Sequence, residues 1–174
     1  MGKYDKYIHE IKSAHCLTIK SHEGCRVHPF EFHTGYFDEA PNFISIYYSY
    51  APGGYIGSLE EEEITMPITG EKKTIPPGGM IQEKHPWKES FVFLGTDPHN
   101  PDDLGGEHEF WIGEGDEAQK ILVTKTTIIV VPENVAHNPN FCRKCYRPYF
   151  MIVVLDSPAM KAEPVNVLPT GFKL

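Results

Sequence analysis

Apolar residues fall at helical spacing in only one stretch of this chain. Tyr4, Tyr7, Ile8, Ile11 and His15 predict a short amphipathic helix over residues 3–14. No later segment holds a 3.6-residue period for three turns without meeting Gly or Pro. The stretch 43–50, Phe-Ile-Ser-Ile-Tyr-Tyr-Ser-Tyr, is aromatic and β-branched and stops at Ala51-Pro52-Gly53-Gly54, which reads as a strand and its turn. Further strands are predicted at 64–66, 80–83, 90–94, 107–112, 119–124, 127–131 and 147–155. The intervening turn formers are Pro67, Pro76-Pro77-Gly78-Gly79, Asp97-Pro98, Gly105-Gly106, Gly113-Glu114-Gly115-Asp116 and Pro139-Asn140. The tail from Pro158 carries Pro164 and Pro169 and reads as an extended arm. Short, evenly spaced strands of this kind predict an all-β sandwich or barrel.

Composition narrows the picture. With 174 residues the chain suits one domain that can bury a core without disulfides or metals. A net charge of −8 repels phosphate backbones, so no nucleic-acid partner is expected. Its apolar runs, such as 150–155 and 128–131, fall far short of the ~20 residues that cross a bilayer, and no membrane partner is expected. Residues 1–10 are charged and lack an apolar signal core. The cysteines, a distant pair (Cys16, Cys25) and a close one (Cys142, Cys145), are therefore expected as reduced thiols in a cytoplasm.

The candidate chemistry lies in two segments. In Glu83-Lys84-His85-Pro86-Trp87-Lys88-Glu89-Ser90-Phe91-Val92-Phe93-Leu94-Gly95, Glu83 and His85 share a face of an extended chain. Glu89 keeps that parity through a tight corner. In Val131-Pro132-Glu133-Asn134-Val135-Ala136-His137-Asn138-Pro139, another histidine follows an apolar strand and a Pro-led turn.

Together these segments resemble the cupin family. Its first motif runs Gly, five residues, His-x-His, three or four residues, Glu, six residues, Gly. Glu83-x-His85-x3-Glu89 followed by Gly95 fits that frame, with two departures. Glu83 stands where the first His is expected, and the last spacer is one residue short. Pro132-x-Asn134-x-x-His137 fits the second motif, with Thr126 in place of its first Gly and Asn134 in place of its second, where the turn calls for positive φ. The resemblance covers residues 76–156. It implies a cupin-type jelly-roll β-barrel core over 76–156, a β-rich N-terminal extension over 1–75 with the short helix, and a C-terminal arm over 157–174.

The resemblance further implies one divalent metal ion per chain (Fe, Mn or Zn), held by His85, Glu89 and His137. Glu83 is either the fourth ligand or a free base beside the metal. Imidazole and carboxylate on rigid strands with open positions suit such ions. On the next strand, Glu107, Glu109 and Trp111 share one face and His108, Phe110 and Ile112 the other. Sequence alone leaves open which lines the barrel. Glu109 is a second candidate base, and Trp111 a candidate substrate contact. Tyr48, Tyr50 and Arg147 are also substrate-binding candidates, with Tyr47, Tyr55 and Arg143 behind them. Arg suits a carboxylate or enolate group. Cys142-x-x-Cys145 invites a zinc or redox reading, but paired thiols are favoured because no second close pair exists.

The expected function is a metal-dependent enzyme acting on a small oxygen-rich molecule (a β-dicarbonyl, hydroxyketone or enediolate) by non-oxidative hydrolase, lyase or isomerase chemistry. One alternative is an Fe(II)-dependent dioxygenase cleaving a small carbonyl or aromatic compound. Others are a non-catalytic ligand-binding cupin and a metal-free sugar-nucleotide epimerase. A homodimer is expected, with the C-terminal arm dressing a sheet edge or crossing to a second subunit.

Overall fold

The computed structural model describes residues 30–32, 42–55, 62–65, 72–75, 82–158, 162–165 and 167–173. The helix predicted over 3–14 lies outside these residues. The described residues form thirteen strands: β1 (Phe30–Phe32), β2 (Phe43–Ser49), β3 (Gly53–Tyr55), β4 (Glu62–Thr65), β5 (Lys72–Ile75), β6 (Gln82–Lys84), β7 (Glu89–Leu94), β8 (Asp103–Ile112), β9 (Gln119–Lys125), β10 (Thr127–Val131), β11 (His137–Cys145), β12 (Tyr149–Leu155) and β13 (Glu163–Val165). Among the described residues the only helical element is one 3-10 turn, Gly115–Glu117, and no helix is long and apolar enough to cross a membrane.

The strands form two main antiparallel sheets in a jelly-roll arrangement. One runs β1-β2-β12-β7-β10. The other runs β13-β6-β11-β8-β9, with β3 also on β11; β4 and β5 form a separate hairpin pair. β2 lies between β1 and β12, so residues before 76 supply an integral strand of the first sheet. The arm contributes β13, which extends the second sheet by pairing with β6.

Alternation decides what faces inward. On β7 the buried row is Glu89, Phe91, Phe93, while Ser90, Val92 and Leu94 turn outward. From β12 come Tyr149, Met151, Val153 and Leu155. Phe91 meets Phe110 of the facing sheet at 4.8 Å between ring centroids, and Phe93 meets His108 at 4.7 Å. His108, Phe110 and Ile112 are therefore the inward row of β8. Glu107, Glu109 and Trp111 face out.

Two expected turns lie inside strands. Gly105-Gly106 belongs to β8. A Cβ on Gly106 would meet Lys144 O at 2.5 Å and the Tyr149 ring at 2.9 Å, so the glycine serves close backbone approach rather than chain reversal. Pro139-Asn140 belongs to β11. The β11–β8 register shifts between His137 and Asn140, and Asn138 has φ 76°; the irregularity is a bulge within a continuing strand.

Candidate metal centre

Three strands deliver one polar cluster into the barrel interior. Glu83 on β6 and His85 just beyond it both turn inward, as positions two apart on an extended chain do. Pro86-Trp87-Lys88 then turns the chain into β7, whose first residue is Glu89. β11 opens on His137, directly across from Glu83 on one side and Ile112 on the other. The turn before β11 is tied to the β6–β7 corner by Asn134, whose N–H donates to the His85 carbonyl at 2.8 Å. Asn134 has φ 59°, the left-handed conformation that Asn tolerates where the family pattern has Gly.

His85, Glu89 and His137 offer ligand atoms that all lie within 4.8 Å of one another, and the three side chains are buried. Among the described residues this is the one such group of His, Cys, Asp or Glu. Glu89 Oε2 sits 3.1 Å from His85 Nε2 and 2.7 Å from His137 Nε2. Each imidazole is oriented from behind: His85 Nδ1 donates to Trp87 O at 2.8 Å and His137 Nδ1 to Val135 O at 3.0 Å. A carbonyl only accepts, so with a metal ion on Nε2 each neutral ring would carry its proton on Nδ1; without an ion, the Glu89 carboxylate is an acceptor for His85 Nε2 as well. The His137 Nε2 contact with Glu89 is short but lacks hydrogen-bond alignment, leaving that buried nitrogen unsatisfied among the described residues. A divalent ion accepting both lone pairs and the carboxylate would satisfy this donor set.

Glu83 stands beside the group, only 4% exposed, with Oε1 3.8 Å from His137 Nε2. Its Oε1 accepts from Asn138 Nδ2 at 2.9 Å, and Oε2 has no partner among the described residues. Burial pushes the Glu83 carboxyl up to about 7, with Glu89's charge adding to the rise, while His137, His85 and Asn138 pull the other way. Burial would also raise Glu89, but the adjoining His137 and His85 outweigh it and hold that carboxylate low. For His137 burial favours the neutral ring; adjoining Glu89 and Glu83 reverse this and raise its affinity for a proton. Two carboxylates facing two imidazoles therefore leave negative charge that only protons or a cation can balance.

The other site candidates lie elsewhere. Glu109 is on the outward face of β8, where it accepts from Trp111 Nε1 at 2.6 Å and from Arg143 Nε and Nη2 at 3.0 Å each. Trp111 packs there too, edge-on to Phe172 of the C-terminal arm at 6.4 Å. Neither reaches the cluster, because strand parity turns both away from the His108–Phe110–Ile112 row. Tyr48 is on the outward face of β2, against Phe150 at 5.1 Å and Tyr50 at 6.1 Å. It pairs with Phe150, whereas Glu89 pairs with Leu155 of the same strand. Arg147 is held by Asp103 at 2.6 Å, at the far end of β8 from Ile112, roughly 30 Å of strand away. Cys142 and Cys145 are free thiols, and neither joins a metal group among the described residues.

Sequence reasoning missed Gln82, Asn138 and Asn140, all buried. Gln82 Nε2 donates to Asn138 O and Gly113 O, each at 2.8 Å, and Asn140 Nδ2 donates to Asn138 Oδ1 at 2.9 Å. Their signal was two amides flanking a proline directly after the motif histidine.

No family model matches the chain, and no curated protein does. Solved structures do. Oxalate oxidase in complex with the substrate analogue glycolate aligns at TM-score 0.53 and 10% identity, over 92% of this chain and 64% of that one. This chain thus spans less than two thirds of the oxalate oxidase it matches. Peruvianin-I, described as a cysteine peptidase from Thevetia peruviana latex, aligns at TM-score 0.52 and 10% identity, over 97% of this chain and 82% of that one. The chain has the cupin fold. In this fold, the residues that the motifs pick out and the group that can hold a metal ion coincide at His85, Glu89 and His137.

Proposed function

We propose that this cupin is a metal-dependent enzyme that removes or relocates a proton on a small oxygen-rich substrate, a β-dicarbonyl, hydroxyketone or enediolate, without consuming oxygen. The observation that carries the reading is the buried convergence of His85 Nε2, His137 Nε2 and Glu89, with the Glu83 carboxyl beside it presenting one oxygen that has no partner among the described residues. Bound there, a divalent ion supplies Lewis acidity toward a carbonyl or enolate oxygen. His85 and His137 hold their lone pairs inward through the Trp87 and Val135 carbonyls. Glu89 supplies the compensating charge. Glu83 Oε2 is the atom that takes the substrate proton and returns it, and a carboxyl raised to about 7 exchanges protons near neutral pH. Phe91, 5.7 Å from the His137 ring, keeps one side of the site apolar, which strengthens these charge interactions.

Glycolate, the analogue in the oxalate oxidase structure, is a small oxygen-rich acid and supports a substrate of that size class. A second reading has a specific observation in its favour. Two histidines and one carboxylate are the ligand set of non-haem Fe(II) oxygenases, which would make the protein a dioxygenase on a small carbonyl or aromatic compound. NMR separates the two, by following solvent deuterium exchange into hydroxyketones and β-dicarbonyls, in air and under argon. The proposal expects metal-dependent exchange at equal rates in both. Turnover that stops under argon and consumes oxygen in air would favour the oxygenase. Metal binding with neither exchange nor turnover would favour a ligand-binding protein.

A further inference from the structure

Glu83 occupies a position where a histidine ligand stands in the cupin pattern, yet it is not among the side chains whose ligand atoms converge. Its immediate surroundings account for this. Glu83 and His137 are cross-strand partners, so their side chains share a face. On a regular strand Asn138 would point to the opposite face from His137. The bulge between His137 and Asn140, with Asn138 at φ 76°, instead brings the Asn138 amide to Glu83, where Nδ2 donates to Oε1 at 2.9 Å. That amide has one orientation. Asn140 Nδ2 donates to Asn138 Oδ1 at 2.9 Å, which leaves Nδ2 as the end facing Glu83. The Asn138 backbone is held as well, because Gln82 Nε2 donates to its carbonyl at 2.8 Å and to Gly113 O at 2.8 Å. Gln82, Asn138 and Asn140 are all buried, so water does not compete for these bonds.

We infer that Asn138, fixed by Asn140 and Gln82, is a positioning residue that holds Glu83 outside the metal's ligand shell with one oxygen directed to substrate. The inference rests on the metal-centre reading above. A glutamate is flexible enough to reach the ion that its neighbours hold, and the amide tether is what prevents it. The tether reserves Oε1 for a hydrogen bond and leaves Oε2 without a partner among the described residues. Three protein ligands then bind the ion, and the fourth family position stays outside its shell.

The test is an anaerobic titration with Co(II), whose visible absorption reports ligand number and geometry, of the unaltered protein, Glu83→Gln, Asn138→Gly and the double variant. Glycine is chosen because it accepts φ 76° without strain. The expected result is an unchanged Co(II) spectrum in Glu83→Gln and a shifted spectrum in Asn138→Gly as the released carboxylate joins the ion. In the double variant the unaltered spectrum returns. A changed spectrum in Glu83→Gln would overturn the inference, since Glu83 would then be a ligand already, and so would an unchanged one in Asn138→Gly. Should Asn138→Gly not fold, Asn140→Ala loosens the same amide at ordinary φ and is read by the same criteria. No Co(II) bound by the unaltered protein would instead remove the metal centre itself, a result distinct from either.

Discussion

Two buried glutamates of this barrel, Glu89 and Glu109, solve the same electrostatic problem in opposite ways. Glu109, on the outside of β8, has a permanent cation: Arg143 gives it two bonds of 3.0 Å. Arg143 itself lies over Phe141 at 4.6 Å and Phe172 at 5.3 Å and donates to the Lys173 carbonyl. That assembly is complete, and it pins the C-terminal arm to the sheet. Glu89, on the inside, faces two imidazoles that are cationic only when protonated, with Glu83 adding a second carboxylate. A carboxylate with its own arginine is structure. Carboxylates facing the lone pairs of neutral imidazoles form a site that a divalent ion completes.

The strongest way to break this contrast is to exchange the consequences. Glu89→Ala or His85→Ala is expected to weaken Mn(II) or Zn(II) affinity by at least ~100-fold, more than typical losses from outer-shell changes. Arg143→Ala should leave affinity within ~3-fold; competition with a chromophoric chelator measures both. A large loss in Arg143→Ala would show that the two clusters are not independent. Metal at a hundred times its Kd should raise the unfolding free energy by ~2.7 kcal/mol in the unaltered protein and in Arg143→Ala. His137→Ala should gain none, as read by urea denaturation.

His108 sharpens the comparison as a buried histidine that bonds to no carboxylate among the described residues. Its Nδ1 meets the Tyr149 hydroxyl at 2.8 Å, and burial lowers its affinity for protons from 6.5 to about 3. Below pH 6.5 the unfolded chain takes up a proton that the folded chain refuses, so stability falls on acidification until about pH 3. That amounts to ~2 kcal/mol at pH 5. His108→Gln should remove this part of the acid sensitivity while leaving metal affinity alone. If stability between pH 7 and 5 falls equally in the variant, the loss belongs to another group. The smallest expected effect is Arg143→Ala at neutral pH without metal, ~1–2 kcal/mol for a half-buried ion pair. Arg143→Lys should recover only part, because one ammonium cannot make both bonds to Glu109.

What could be read from sequence follows from what strand periodicity contains. Residues 43–50, 90–94, 119–124 and 127–131 announced β2, β7, β9 and β10, because inward and outward residues differ in kind along them. β8 was read short and β11 not at all, since Gly105-Gly106 and Pro139-Asn140 carry turn chemistry. Only the tertiary neighbours, Lys144 and Tyr149 for the glycines and the bulge for the proline, show that these are strand positions. Parity grouped Glu109 with Trp111 and His108 with Phe110 but could not say which pair faced inward. Phe91 and Phe93 on the facing sheet decide that. His85, Glu89 and His137 were legible because two short spacings on rigid strands define them. The Gln82–Asn138–Asn140 relay was not, because it depends on the β6–β11 register, which no local spacing encodes.

The central claim is that the inner cluster is a metal centre and the outer one is not. Elemental mass spectrometry on anaerobically purified protein, repeated after reconstitution with Fe(II), Mn(II) and Zn(II), tests it most directly. The account predicts about one divalent ion per chain in the unaltered protein and in Glu109→Gln, with less than about a tenth of that in His137→Ala. Full occupancy in His137→Ala, or none in the reconstituted unaltered protein, would contradict it.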